Sequence, residues 1–209
     1  MSRRRSGVQT IVAVLLAAGL AVTLGACGAN RASVATQVGT TPYSMSYLAQ
    51  MTQDYLKETG QTGMTGSDLA KVQSTLVTEF IVNQLTSQAA SDLGVSVPEE
   101  RVNALRSQLQ NDGQYQEVLR TAVIPLARLD DMIRWTLSRT AVGDKLANVS
   151  ASQSGNQESV NAATAYVARL SAREGVSVNP VFGRWDGTQL KTGEGALVPL
   201  PVATASSTQ

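Results

Sequence analysis

One apolar stripe constrains this chain more than any other feature. Leu69, Val72, Leu76, Val77, Phe80, Ile81, Leu85 and Ala89 recur at i, i+3, i+4 and i+7, which predicts a single amphipathic helix about 25 residues long. Ser67 suits the N-cap of that helix, and Asp68 suits the positive end of its dipole. Gly94 ends it after Leu93. Ser96-Val97-Pro98-Glu99 then reads as a capping box, with the serine hydroxyl taking the N3 amide and the glutamate reaching back. It opens a second helix whose apolar side carries Val102, Leu105 and Leu109. A helix this long cannot bury its stripe alone, so the helix-turn-helix over residues 67–109 is expected to organise the rest of the fold.

The first residues describe export. Arg3, Arg4 and Arg5 precede an apolar run over residues 8–24, too short and too rich in Ala and Gly for a confident membrane-spanning helix. The run ends in Leu24-Gly25-Ala26-Cys27. Residues 1–26 therefore read as a secretory signal, and Cys27 at the junction as the acylated first residue of a bacterial lipoprotein. The competing reading is an ordinary cleaved signal with a chance cysteine. Each buried acyl methylene contributes about 0.8 kcal/mol, and two or more chains anchor stably. The expected location is the extracytoplasmic face of the cell membrane, with residues 27–33 as lipidated cysteine and tether. A tether of about six residues reaches at most roughly 20 Å.

Losing those three arginines from 17 basic residues, against 16 acidic ones, leaves a mature charge of about −2, which offers no basic face to nucleic acid. Cys27 is the one cysteine, so no disulfide is expected. Histidine is absent, which removes His-based triads and most catalytic zinc sites. No phosphate-binding glycine motif is present. Glu99-Glu100 and Asp130-Asp131 are adjacent pairs, which diverge by about 100° on a helix and so make no two-carboxylate site. No cofactor, no metal site and no enzyme activity are expected.

Along the chain, Val34–Val38 alternates like a strand, Gly39-Thr40 like a turn and Thr41-Pro42-Tyr43 like a short return strand. Ser44 or Ser46 would cap a helix bearing Leu48, Met51, Tyr55 and Leu56. Residues 60–66, with three glycines, form a loop. A short helix bears Tyr115, Val118, Leu119 and Ala122, and another follows Pro125 with Leu126, Leu129, Met132, Ile133 and Leu137 on one face. Residues 150–157 read as a flexible linker, 160–172 as one more helix, and 176–182 as a β segment pairing with Val34–Val38. From Gly187 no periodicity survives, so 187–209 is expected to be a disordered tail. The fold class is mainly α, with a small antiparallel sheet from the N- and C-terminal strands of a module over 34–186.

Phe80-Ile81-Val82-Asn83-Gln84-Leu85, Ala89-Ala90, Leu93-Gly94-Val95-Ser96-Val97 and Glu99-Glu100-Arg101-Val102, in that order, resemble the N-terminal chaperone module of SurA/PrsA-type foldases. The opening strand, turn, strand and capped helix resemble it too, although Val38-Gly39 stands where Asn-Gly is usual. The resemblance covers about residues 34–185. It implies chaperone activity without prolyl isomerisation, because the family's isomerase domain uses histidines and would stand where 150–157 stands. The expected function is an ATP-independent holdase for unfolded secreted polypeptides. The alternative is an anchored adaptor for one folded envelope partner. Met45, Met51, Met64, Met132, Tyr47, Tyr55, Tyr115 and Trp135 are adaptable apolar groups that could line a client trough, with core packing as the competing role for each. Met51, Tyr55 and Trp135 are the chosen client-binding candidates.

Overall fold

The computed structural model describes residues 33–191. The signal segment, Cys27, the tether up to residue 32 and the tail from residue 192 lie outside the described residues. Val34–Val38 (β1) and Thr41–Ser44 (β2) form an antiparallel hairpin, with Val38 opposite Thr41 and a register shift between Val34 and Thr36. Gly39 makes the turn at φ +56, a conformation costly for any residue with a Cβ. Val176–Val178 (β3) adds antiparallel to the other side of β1, Thr36 facing Val178. The sheet order is β2-β1-β3, so the expected closure of the fold through its two ends is present. The β segment stops sooner than 182, however. Asn179 accepts from Val181 N at 3.2 Å and starts a 3₁₀ turn, Pro180–Phe182, which drops Phe182 into the core.

The long helix is α2, Gly66–Asp92, preceded by α1, Met45–Glu58. Ser44 caps α1 by accepting from Tyr47 N at 3.1 Å. Helix α2 starts one residue before the expected Ser67 cap, behind Thr65, whose side chain makes no capping bond. Its C-terminus follows expectation, with Leu93 as C-cap and Gly94 at φ +61. Helix α2 is buried on more than one side: besides its stripe, Gln73 and Thr86 are enclosed. Helix α1, strand β1, and helices α5 (Leu129–Ala147) and α6 (Gln157–Glu174) all pack on it.

The second half of the expected helix-turn-helix goes elsewhere. Helix α3, Glu99–Asn111, begins after Pro98 with no side-chain cap. Glu99 does not close a capping box, because its carboxylate takes Arg134 of α5 at 2.8 Å. Arg106 likewise takes Asp130 at 2.6 Å. These pairs, with Val102 enclosed beneath them, dock α3 on α5. Helix α4, Tyr115–Ala122, completes this arm.

Two apolar cores result. The larger joins the sheet, α1, α2, the C-terminal half of α5, α6 and Phe182. The smaller joins Val102, Leu119, Ile124, Leu129 and Ile133. Helix α5 runs through both. Its fit on α6 depends on Gly143, where an added Cβ would lie 2.3 Å from the carbonyl oxygen of Ser159. The connector at 150–157 is tied down, contrary to the flexible-linker expectation. It contains a 3₁₀ turn, Ala151–Gln153, and Asp144 accepts from Gly155 N at 2.9 Å and from the Ser154 hydroxyl. Asn156 then caps α6 through Ser159 N at 2.8 Å.

The first residues of the expected tail, 187–191, are structured. Arg184–Trp185 (β4) pairs with Leu190–Lys191 (β5). The Asp186 carboxylate accepts from the Thr188 and Gln189 amides, each at 2.9 Å, and pairs with Lys191. Those amides hold its carboxyl well below the usual range.

Candidate functional site

A groove opens where the two cores meet. One wall is an aromatic ladder. The cap at Ser44 sets Tyr43, at the end of β2, and Tyr47, in the first turn of α1, on either side of the strand-to-helix turn. Tyr43 stacks on Phe80 of α2 with centroids 4.5 Å apart and planes at 13°, and Tyr47 meets Tyr43 edge-on at 5.4 Å. Stacked and edge-on pairs of this kind are the favoured aromatic geometries. Tyr47 is 37% exposed while Tyr43 is buried.

The facing wall comes from the smaller core: Ile124, Pro125, Arg128, Asp131 and Met132. Val123 delivers it. This residue ends α4 at φ 52, the left-handed region, where a β-branched side chain is strained. Arg128 and Asp131, three residues apart on this wall, pair at 2.6 Å. Met51 and Leu76 form the floor.

Polar groups complete the groove along one face of α2. Glu79 and Asn83 are i and i+4, hence neighbours on the helix surface. Glu79 makes no ion pair or hydrogen bond among the described residues. Burial pushes its carboxyl up, and the charge of Arg139 offsets part of that. The Asn83 Oδ1 atom is buried without a hydrogen-bond partner. Burial pushes the Tyr43 phenol far up, with Tyr47 adding and Arg128 opposing, so it stays a neutral hydroxyl. The groove thus offers aromatic groups, two thioethers, a half-buried carboxylate without an ion pair and a buried amide oxygen without a donor.

The three chosen trough residues are not brought together. Met51, 6% exposed, is floor and core rather than an open wall. Tyr55, 3% exposed, is a core residue; its hydroxyl donates to Arg120 O at 3.3 Å and so fastens α1 to α4. Glu58 accepts from Leu126 N beside it. Trp135 lies in a separate hollow between α5 and α6, with Arg139 over its ring at 5.9 Å and its indole N–H donating to Thr86 Oγ1 at 3.2 Å. Sequence reasoning placed Tyr47 and Met132 in the wider set, but it assigned Phe80 to the stripe and Tyr43 to a short strand. The spacing Glu79-Phe80-x-x-Asn83 was the available signal, since it puts polar groups at the edge of an apolar stripe.

Among the described residues no three His, Cys, Asp or Glu side chains are grouped to hold a metal ion, and no helix is long and apolar enough to cross a membrane. No protein-family model, curated protein or solved structure matches the chain.

Proposed function

We propose that the protein is a lipid-anchored, extracytoplasmic holdase that binds unfolded secreted polypeptides without ATP and without prolyl isomerisation. The observation that supports this reading best is the groove between the two cores, concave and lined by Tyr43, Tyr47, Phe80, Met51 and Met132. Methionine adapts to varied side chains and tyrosine gives large contact area, which suits a site that takes many sequences weakly. Covering about 300 Å² of client apolar surface yields roughly 7 kcal/mol at ~25 cal/mol per Å². Association entropy and ordering of the client remove much of that, so affinity is micromolar or weaker.

The test is suppression of aggregation of an unfolded secreted protein by the purified chain. Replacing Tyr47 and Met132 together by Ser is expected to reduce protection several-fold with the far-UV spectrum unchanged, because Tyr47 is exposed and Met132 only half-buried. Val160→Ser, at an exposed apolar residue on α6, is expected to leave protection intact. A wild-type protein that never delays aggregation, even in several-fold excess, refutes the holdase and leaves the anchored adaptor for one folded partner in its place.

A further inference from the structure

We infer that the groove selects extended client segments in which a lysine or arginine is flanked by apolar residues, the basic side chain passing the aromatic ladder to reach Glu79 and Asn83. The inference rests on the holdase reading and adds to it the chemistry of the preferred client.

The argument is one of complementarity. An aromatic groove that took only apolar segments would be expected to have neutral walls. Here the α2 side carries a carboxylate with no ion pair among the described residues and, one turn on, an amide oxygen shut off from water with no donor. Both are acceptors: the enclosed Asn83 oxygen is costly while unsatisfied, and the half-buried Glu79 carboxylate has no cation in contact. A cationic N–H group suits both. An ammonium or guanidinium also gains from the exposed ring of Tyr47 on its way in. Of the cations near the site, Arg128 pairs with Asp131, and Arg139 lies over Trp135, where its charge is felt at Glu79 without an ion-pair contact.

Residues 192–209 include the apolar run Leu197-Val198-Pro199-Leu200 but no Lys or Arg, so that segment brings no cation to Glu79. The occupant proposed is a client polypeptide that carries one.

The experiment uses the purified full chain and three fluorescent peptides, read by anisotropy. One is a short Ala/Leu/Val peptide with a central lysine. The second is identical except for norleucine, which keeps the methylene stem and drops the charge. The third is the sequence of residues 195–203. The lysine peptide is expected to bind about ten-fold tighter than the norleucine peptide, the scale of one charge-assisted hydrogen bond in a partly open site. Glu79→Gln is expected to bring that ratio close to one, and a ratio measured within one protein is not moved by a loss of stability. Equal binding of the first two peptides by wild type overturns the inference while leaving the holdase standing. A ratio unchanged by Glu79→Gln overturns it as well, placing the charge selection elsewhere. Tighter binding of the 195–203 peptide makes the tail the occupant. No binding of any peptide overturns the inference, the holdase itself being decided by the aggregation assay.

Discussion

Glu79 gives the fold a pH response of unusual sign for a carboxylate. Burial raises its pKa above the ordinary 4.5, with Arg139 opposing, so the native state holds this proton more tightly than the unfolded chain does. The cost of its charge is absent below about pH 4.5 and grows as pH rises through the raised folded value. Glu79→Gln removes that cost. The melting temperature of the variant is expected to match wild type near pH 4 and to exceed it near pH 7; an offset constant across that range would remove Glu79 as the source. Gly143 is a residue of the opposite kind, set by space alone. With Ser159 O 2.3 Å from the position of a Cβ, Gly143→Ala must push α6 off α5. Overpacking of this sort costs about 1–3 kcal/mol, and a drop of several degrees in melting temperature is expected. An unshifted melt would mean that the two helices separate freely.

At the scale of elements, β3 is the closing piece. Thr36 Oγ1 donates to Ser177 O at 2.9 Å and Asn179 N to Ala35 O at 2.9 Å, and Phe182 follows into the larger core. Truncation before Val176 orphans these groups together and is expected to broaden thermal unfolding and shift it to lower temperature. A melt as sharp and as high as the parent would mean that the sheet contributes nothing to cooperativity. This closure was legible from sequence because two β segments in a helical chain need each other. The helices were legible because 3.6-residue periodicity is local. What failed was the pairing of elements. Glu99 has the spacing of a capping box, but an arginine 35 residues away holds it, and no local pattern reports that. Residues 150–157 have the composition of a linker, yet the acceptors that order them come from Asp144, upstream of the segment. The site failed similarly: Tyr55 and Tyr47 share helix α1, and only the tertiary fold decides that one is core and the other open.

For the whole molecule, the first matter is the anchor. Cys27→Ala is expected to abolish acyl labelling and release the protein from the membrane fraction; labelling that persists in the variant would refute lipidation at this residue. The described chain starts close to its own groove. Met45 N donates to Ser33 O at 2.8 Å, and Met45 lies two residues from both Tyr43 and Tyr47. With Cys27 in the bilayer as proposed, a leash of about six residues ends beside the aromatic wall, within roughly 20 Å of the lipid surface. A polypeptide held at that same surface would meet the groove at the effective concentration set by this short leash, in the millimolar range for short flexible connections. An intrinsic affinity that is feeble in free solution would then suffice for occupancy at the membrane, and release would need nothing more than the client's departure from it.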